Sequence, residues 1–214
     1  MGSVGLLYVG AVLFVNGVML LGWIDSRSAA PMNVFVGVLQ VITPTYLIFT
    51  SGGDPDAILG ASGLYLFGFT YLYVAFNLFF DLDGSGLGFF SAFVAACALV
   101  YSYLNFTRFD DPAFGVIWLY WAFLWALFFL LLGRGRAELT RYTGAVAAIQ
   151  GWVTGALPAF LLLTGNWGQQ GTAWAIGFAV FGVLAFGLLY PRLRGGPSPA
   201  TGPGTGAAAA EAVA

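Results

Sequence analysis

Apolar runs long enough to cross a bilayer alternate with short polar breaks along almost the whole chain. Crossing takes about 20 apolar residues. The pattern predicts seven such helices, at 3–24, 31–51, 57–80, 85–107, 112–133, 142–164 and 172–190. The first has no basic residue before it and runs straight on to further spans, so it reads as a retained helix rather than a signal peptide. The connections hold nearly all the charge: Asp25 and Arg27; Asp54 and Asp56; Asp81 and Asp83; Arg108, Asp110 and Asp111; Arg134, Arg136, Glu138 and Arg141. Arg192 and Arg194 follow the last span. The Gly/Pro/Ala/Thr stretch running on to Ala214 has no apolar periodicity, so residues 192–214 are expected to form a disordered cytoplasmic tail.

Arginine placement sets the expected orientation. With the N-terminus outside, the cytoplasmic side holds Arg27, Arg134, Arg136, Arg141, Arg192 and Arg194, against Arg108 alone outside. Positive residues collect inside, which predicts N-out and C-in. No Asp, Glu, Lys or Arg falls within a predicted span. Ion-coupled transporters and voltage sensors rely on such intramembrane charges, so their absence argues against ion-driven pumping. A Na⁺ site built from carbonyls alone is the remaining route.

The fifth span carries the chain's most distinctive pattern. Phe114, Trp118, Trp121 and Trp125 fall within about 60° of one another at helical spacing. The last three cover roughly 10 Å of helix, too deep for an interfacial aromatic belt. Such a ladder either lines a path for a small neutral solute or packs a core, and spacing cannot separate the two. In the third span Phe67 and Tyr71, four apart, share a face. Tyr71 brings a hydroxyl to membrane depth, where it needs a partner. Gly63 and Gly68 allow close helix approach. In the sixth span Gln150, Thr154 and Pro158 are spaced four and four. Proline removes the N–H that would bond the Thr154 carbonyl, and Gln150 adds an amide donor and acceptor. The group is either a hydrogen-bonding patch for an amide solute or glue between helices.

Composition narrows the class. Of 214 residues 60% are hydrophobic, 18% aromatic and only 7% charged, where soluble domains carry about 25% charged residues. The fold class is therefore all-α, a polytopic membrane helical bundle. Every one of the seven basic residues is Arg and there is no His. Without Lys a retinal Schiff base is excluded, and without His so are the usual haem ligand, a histidine zinc site and a Ser-His triad. No catalytic, metal or cofactor site is expected. Cys97, within an apolar run, reads as a packing residue. A net charge of −2 suggests no nucleic-acid partner.

Five stretches stand out: Leu6-Leu-Tyr-Val-Gly10 with Asn16; Met32-Asn-Val-Phe-Val-Gly37; Phe67-Gly-Phe-Thr-Tyr-Leu-Tyr73 with Asn77; Trp118-Leu-Tyr-Trp121-Ala-Phe-Leu-Trp125; and Gln150-Gly151 with Thr154 and Pro158. Together they resemble the AmiS/UreI family of urea channels and short-chain amide transporters. They occur in family order over residues 1–167. The resemblance implies a six-helix channel domain there, joined to an additional transmembrane helix at 168–191. Protomers would form a ring, a homohexamer, with one pore through each. Family constrictions would map onto Leu6, Val9, Leu13, Phe67, Tyr71, Trp118, Trp121, Leu124 and Trp125, with Gln150 and Thr154 offering polar contacts.

The chain also departs from the resemblance. Gln150 stands where the acid-gated urea channels carry Glu. The connection between spans two and three is short and, like the rest of the chain, lacks His. Phe114 replaces a Trp, and a seventh span is appended. The expectation is a passive channel or facilitator for small neutral amides, acetamide-like or urea, not gated by mild acid. It would lie among the lipids of a bacterial plasma membrane. The alternatives are an ion-coupled transporter of the same amides and a non-transporting scaffold.

Overall fold

The computed structural model describes residues 2–168 and 171–195. Among them, seven helices have the length and apolarity to cross a membrane: α1 (Gly2–Leu20), α2 (Ser26–Phe49), α3 (Pro55–Phe80), α4 (Ser85–Thr107), α5 (Pro112–Gly133), α6 (Ala137–Leu163) and α7 (Gly171–Leu193). Their ends lie within a few residues of the hydropathy reading, and the shifts have local causes. α1 stops at Leu20 because Gly22, at φ +79°, turns the chain. α2 starts early, at Ser26, because the Asp25 carboxylate accepts the Arg27 N–H at 2.8 Å. Of the tail expected from residue 192, Arg192 and Leu193 complete α7, while residues 196–214 lie outside the described residues.

Helices associate in lipid without a hydrophobic drive between them, so close backbone contact has to supply the attraction. Glycines on α1 and α6 make this contact. A Cβ on Gly10 would stand 2.5 Å from the Gly151 carbonyl oxygen, and one on Gly155 only 2.4 Å from the Gly10 Cα. Further along, a Cβ on Gly17 would lie 2.4 Å from the Ala148 nitrogen. α6 widens into a π turn over Gly151–Ala156, directly before Pro158. The backbone thus redistributes the bond that Pro158 cannot donate over a whole turn. A second glycine contact joins α4 to the end of α5, where a Cβ on Gly88 would be 2.2 Å from the Gly133 nitrogen.

Ion pairs tie the connections at each end. Arg27 reaches Asp81 at 2.6 Å, and Arg108 reaches Asp56 at 2.5 Å. Both pairs are exposed and each contributes about 1 kcal/mol or less, but they show which loops share an end. The Gly195 N–H donates to the Glu138 carbonyl at 3.1 Å, drawing the end of α7 onto the start of α6. α5 is the most enclosed helix, with 61% of its most apolar stretch buried against 22% for α7. Its aromatic face is therefore interior, and α7 lies at the edge.

Gly10→Val should destabilise the protein by roughly 1–3 kcal/mol, because the added carbons meet α6 backbone. Gly177→Ala, with nothing within 4 Å of the new Cβ, should be neutral or slightly stabilising. Thermal melts of the two variants in detergent check the contrast.

Candidate functional site

The interior face of α5 meets α3 and α4 through its rings. Trp118 stacks on Tyr101 of α4 with centroids 4.6 Å apart and planes 18° from parallel. It fits there because Gly63 of α3 has no side chain; a Cβ at that position would lie 3.1 Å from the indole. Trp121 stands edge-on to Trp118 at 4.9 Å. Phe67 of α3 inserts between the next pair, 4.7 Å from Trp121 and 4.8 Å from Trp125. Each such pair adds about 0.5–1.5 kcal/mol beyond area burial, so the cluster is held in one arrangement.

Below Phe67 the rings leave a cavity of about 20 Å³, walled by Leu13, Phe67, Thr70, Tyr71, Trp121, Leu124, Trp125 and Phe128. That volume holds about one water molecule. No wall residue is ionisable apart from the Tyr71 phenol. The Thr70 hydroxyl is turned back to the Leu66 carbonyl at 2.6 Å. Tyr71 is 3% exposed, and among the described residues its hydroxyl has no hydrogen-bond partner. The cavity thus combines apolar and aromatic walls with one free hydroxyl.

The remaining residues singled out in the sequence lie around this cavity without walling it. Leu6 and Val9 are buried on α1 and belong to the same apolar cluster. Trp118 packs one step above. Phe114 turns to Trp167 of the α6–α7 connection at 4.9 Å, and Trp167 in turn donates to Asp111, the residue capping α5. Gln150 and Thr154 lie behind the rings. The Gln150 amide nitrogen donates to the Tyr120 carbonyl at 3.0 Å. The Thr154 hydroxyl donates to the Gln150 carbonyl at 2.7 Å and accepts the Trp121 indole N–H at 3.0 Å. These two polar residues therefore hold Trp121 in place, and the Gln150 side-chain oxygen stays buried without a partner.

Three residues escaped the sequence reading. Phe128 continues the aromatic face of α5 three positions beyond Trp125, and that periodicity could have found it. Thr70 and Tyr101 carry no such signal, since only the pairing of helices brings them to the rings. A larger apolar groove of about 740 Å³ runs along the outside, between α5, α6 and α7, with Arg136 at its rim. It opens outward and is separate from the aromatic cavity.

A family model described as AmiS/UreI family transporter matches residues 1–166. The chain belongs to the AmiS/UreI family. It is 58% identical over 191 residues, 89% of each chain, to a Mycolicibacterium smegmatis protein named for the transport of amidate substrates. It is 34% identical over 193 residues to the acid-activated urea channel of Helicobacter pylori, covering 76% of this chain and 97% of that one. The closed-state cryo-EM structure of the Helicobacter pylori urea channel superposes with a TM-score of 0.71 at 34% identity, covering 78% of this chain and all of that one. The family match ends before α7. The similarity to the mycobacterial protein, at 89% of this chain, necessarily runs over most of α7.

Within this AmiS/UreI protein, Thr154→Val removes the acceptor for the Trp121 N–H while keeping the shape. It should cost about 1–3 kcal/mol by leaving a buried donor unpaired, measured as a lower melting temperature in detergent.

Proposed function

We propose that the protein is a passive channel for small neutral amides, acetamide-like short-chain amides and urea, in a bacterial plasma membrane. The observation that supports this best is the uncharged aromatic cavity between α3 and α5, with the Tyr71 hydroxyl, unpartnered among the described residues, on its wall. The names of its relatives, an amidate transporter and a urea channel, point to the same solutes. A flat amide would turn its faces to Phe67, Trp121 and Trp125 and its edge to Tyr71. An ion would lose its hydration with nothing in exchange. Leu13 and Leu124 complete the sides of the cavity, and the path would continue past Trp118, Leu6 and Val9. The Gln150 oxygen and the Thr154 hydroxyl supply polar contacts once the rings part.

A solute of several non-hydrogen atoms does not fit in the space for one water, so this is a closed arrangement that opens by side-chain rotation. Protomers assemble as a homohexameric ring, N-terminus outside and C-terminus in the cytoplasm, with lipid against the outer apolar faces. The wide apolar exposure of Phe35, Ile42 and Phe49 on α2 and of Phe89 and Phe93 on α4 supports such partners.

Proteoliposomes should take up acetamide or urea faster than empty vesicles in stopped-flow light scattering, with no accumulation above equilibrium. Uphill accumulation that collapses with an uncoupler would contradict the passive reading. Tyr71→Phe should lower amide flux by about three- to ten-fold, the equivalent of one lost hydrogen bond.

Flux should also be level between about pH 5 and 8, since no His is present to titrate there. In the α3–α4 connection, hydrogen bonds from Ser85 hold the Asp83 carboxyl below its usual range. With its pKa depressed by folding, Asp83 stays charged across that window, and its contribution is lost only as pH falls through the lowered value. A steep rise in flux below about pH 6, measured on the same vesicles, would contradict this expectation.

A further inference from the structure

Helix α7 lies outside the family match and is the least enclosed of the seven helices, yet it is bonded into the protein at two tyrosines. The Tyr120 hydroxyl donates to the Phe178 carbonyl at 2.5 Å, and the Tyr142 hydroxyl donates to the Phe186 carbonyl at 3.1 Å. Gly182 makes room for the first of these; a Cβ there would stand 2.6 Å from the Tyr120 hydroxyl oxygen. Tyr120 and Trp121 are consecutive on α5, so one side chain faces α7 while the other faces the aromatic cavity.

The two are also joined through α6. The Tyr120 carbonyl accepts from the Gln150 side chain, the Gln150 carbonyl accepts from Thr154, and the Thr154 hydroxyl accepts from the Trp121 indole, at 3.0, 2.7 and 3.0 Å. Through the covalent frames of Tyr120 and Gln150, these bonds link α7 to a ring that walls the cavity. Tyr142 also grips α7 but takes no part in this circuit. Its ring packs on Phe123 and Tyr190 instead.

We propose that Tyr120 is a positioning residue through which α7 braces the Trp121 indole and so sets the width of the slot and the size of amide it admits. This rests on the aromatic cavity being the solute path. Without the brace α5 is free to shift against α6, the Trp121–Thr154 bond lengthens, and the slot becomes less selective.

The test uses full-length wild type, Tyr120→Phe, Gly182→Ala and Tyr142→Phe in proteoliposomes. Two quantities are read: the ratio of propionamide to acetamide permeability, and the ultraviolet resonance Raman band of the indole N–H, assigned as the component lost in Trp121→Phe. Tyr120→Phe and Gly182→Ala should raise the permeability ratio about three-fold or more and shift the band towards a weaker hydrogen bond. Tyr142→Phe removes an equivalent bond to α7; it should lower the melting temperature but leave both readouts at wild-type values. An unchanged ratio and band in Tyr120→Phe, or an equal change in Tyr142→Phe, would overturn the proposal. If wild-type vesicles show no flux above empty ones, the channel reading fails, and the Raman band alone still decides whether α7 braces Trp121.

Discussion

The rest of the structure depends on enclosing the face of one helix that carries very large side chains, in a medium that gives no hydrophobic reward for doing so. α5 brings Trp118, Trp121 and Trp125 to its interior face and Tyr120 to the opposite one. Lipid solvates such rings about as well as protein does, so their enclosure has to come from shape and hydrogen bonding. Glycines do the first part of this work: Gly63 receives the Trp118 ring, and Gly10 with Gly151 and Gly155 draws α1 against α6. Uncharged hydrogen bonds do the second, through Thr154 and Gln150 behind Trp121. Polar groups in this interior hold rings in position rather than carrying charge.

The same arrangement gives the cavity its chemistry. Aromatic faces, apolar edges and a phenol without a partner among the described residues suit a molecule that is flat, polar at its rim and neutral. A closed slot of this kind needs no charge on its walls, and the residues that line it carry none. On the proposed reading, selectivity comes from how far the rings are able to part, so whatever restrains Trp121 acts on the slot. The proposed brace through Tyr120 would give the peripheral α7 a part in it.

Much of this was legible in the sequence. The seven spans, their connections and the division of Arg between the two ends follow from hydropathy and charge, because lipid enforces helices of a fixed length. The aromatic face of α5 and the Phe67–Tyr71 pair were visible as periodicity. What one helix's pattern cannot show is what it meets. The stacking of Tyr101 on Trp118, the place of Thr70 on the cavity wall and the α7 contact at Tyr120 arise from helix pairing. The roles of Gln150 and Thr154 were open for the same reason: their spacing shows a polar face, and only the packed structure shows that it bonds Trp121 and the Tyr120 carbonyl. The Thr154 carbonyl, deprived of its usual donor by Pro158, likewise lies in a widened turn over Gly151–Ala156 that the spacing did not show.

On the proposed reading the slot between α3 and α5 carries the solute, opening when its rings turn aside. A cryo-EM structure of the full-length protein in saturating acetamide tests it most directly. The account predicts solute density between Phe67 and the Trp121 and Trp125 rings, within hydrogen-bonding reach of Tyr71, with those ring centroids further apart than the present 4.7 and 4.8 Å. Rings unmoved at those separations, with solute density confined to the outer groove between α5 and α7, would contradict it.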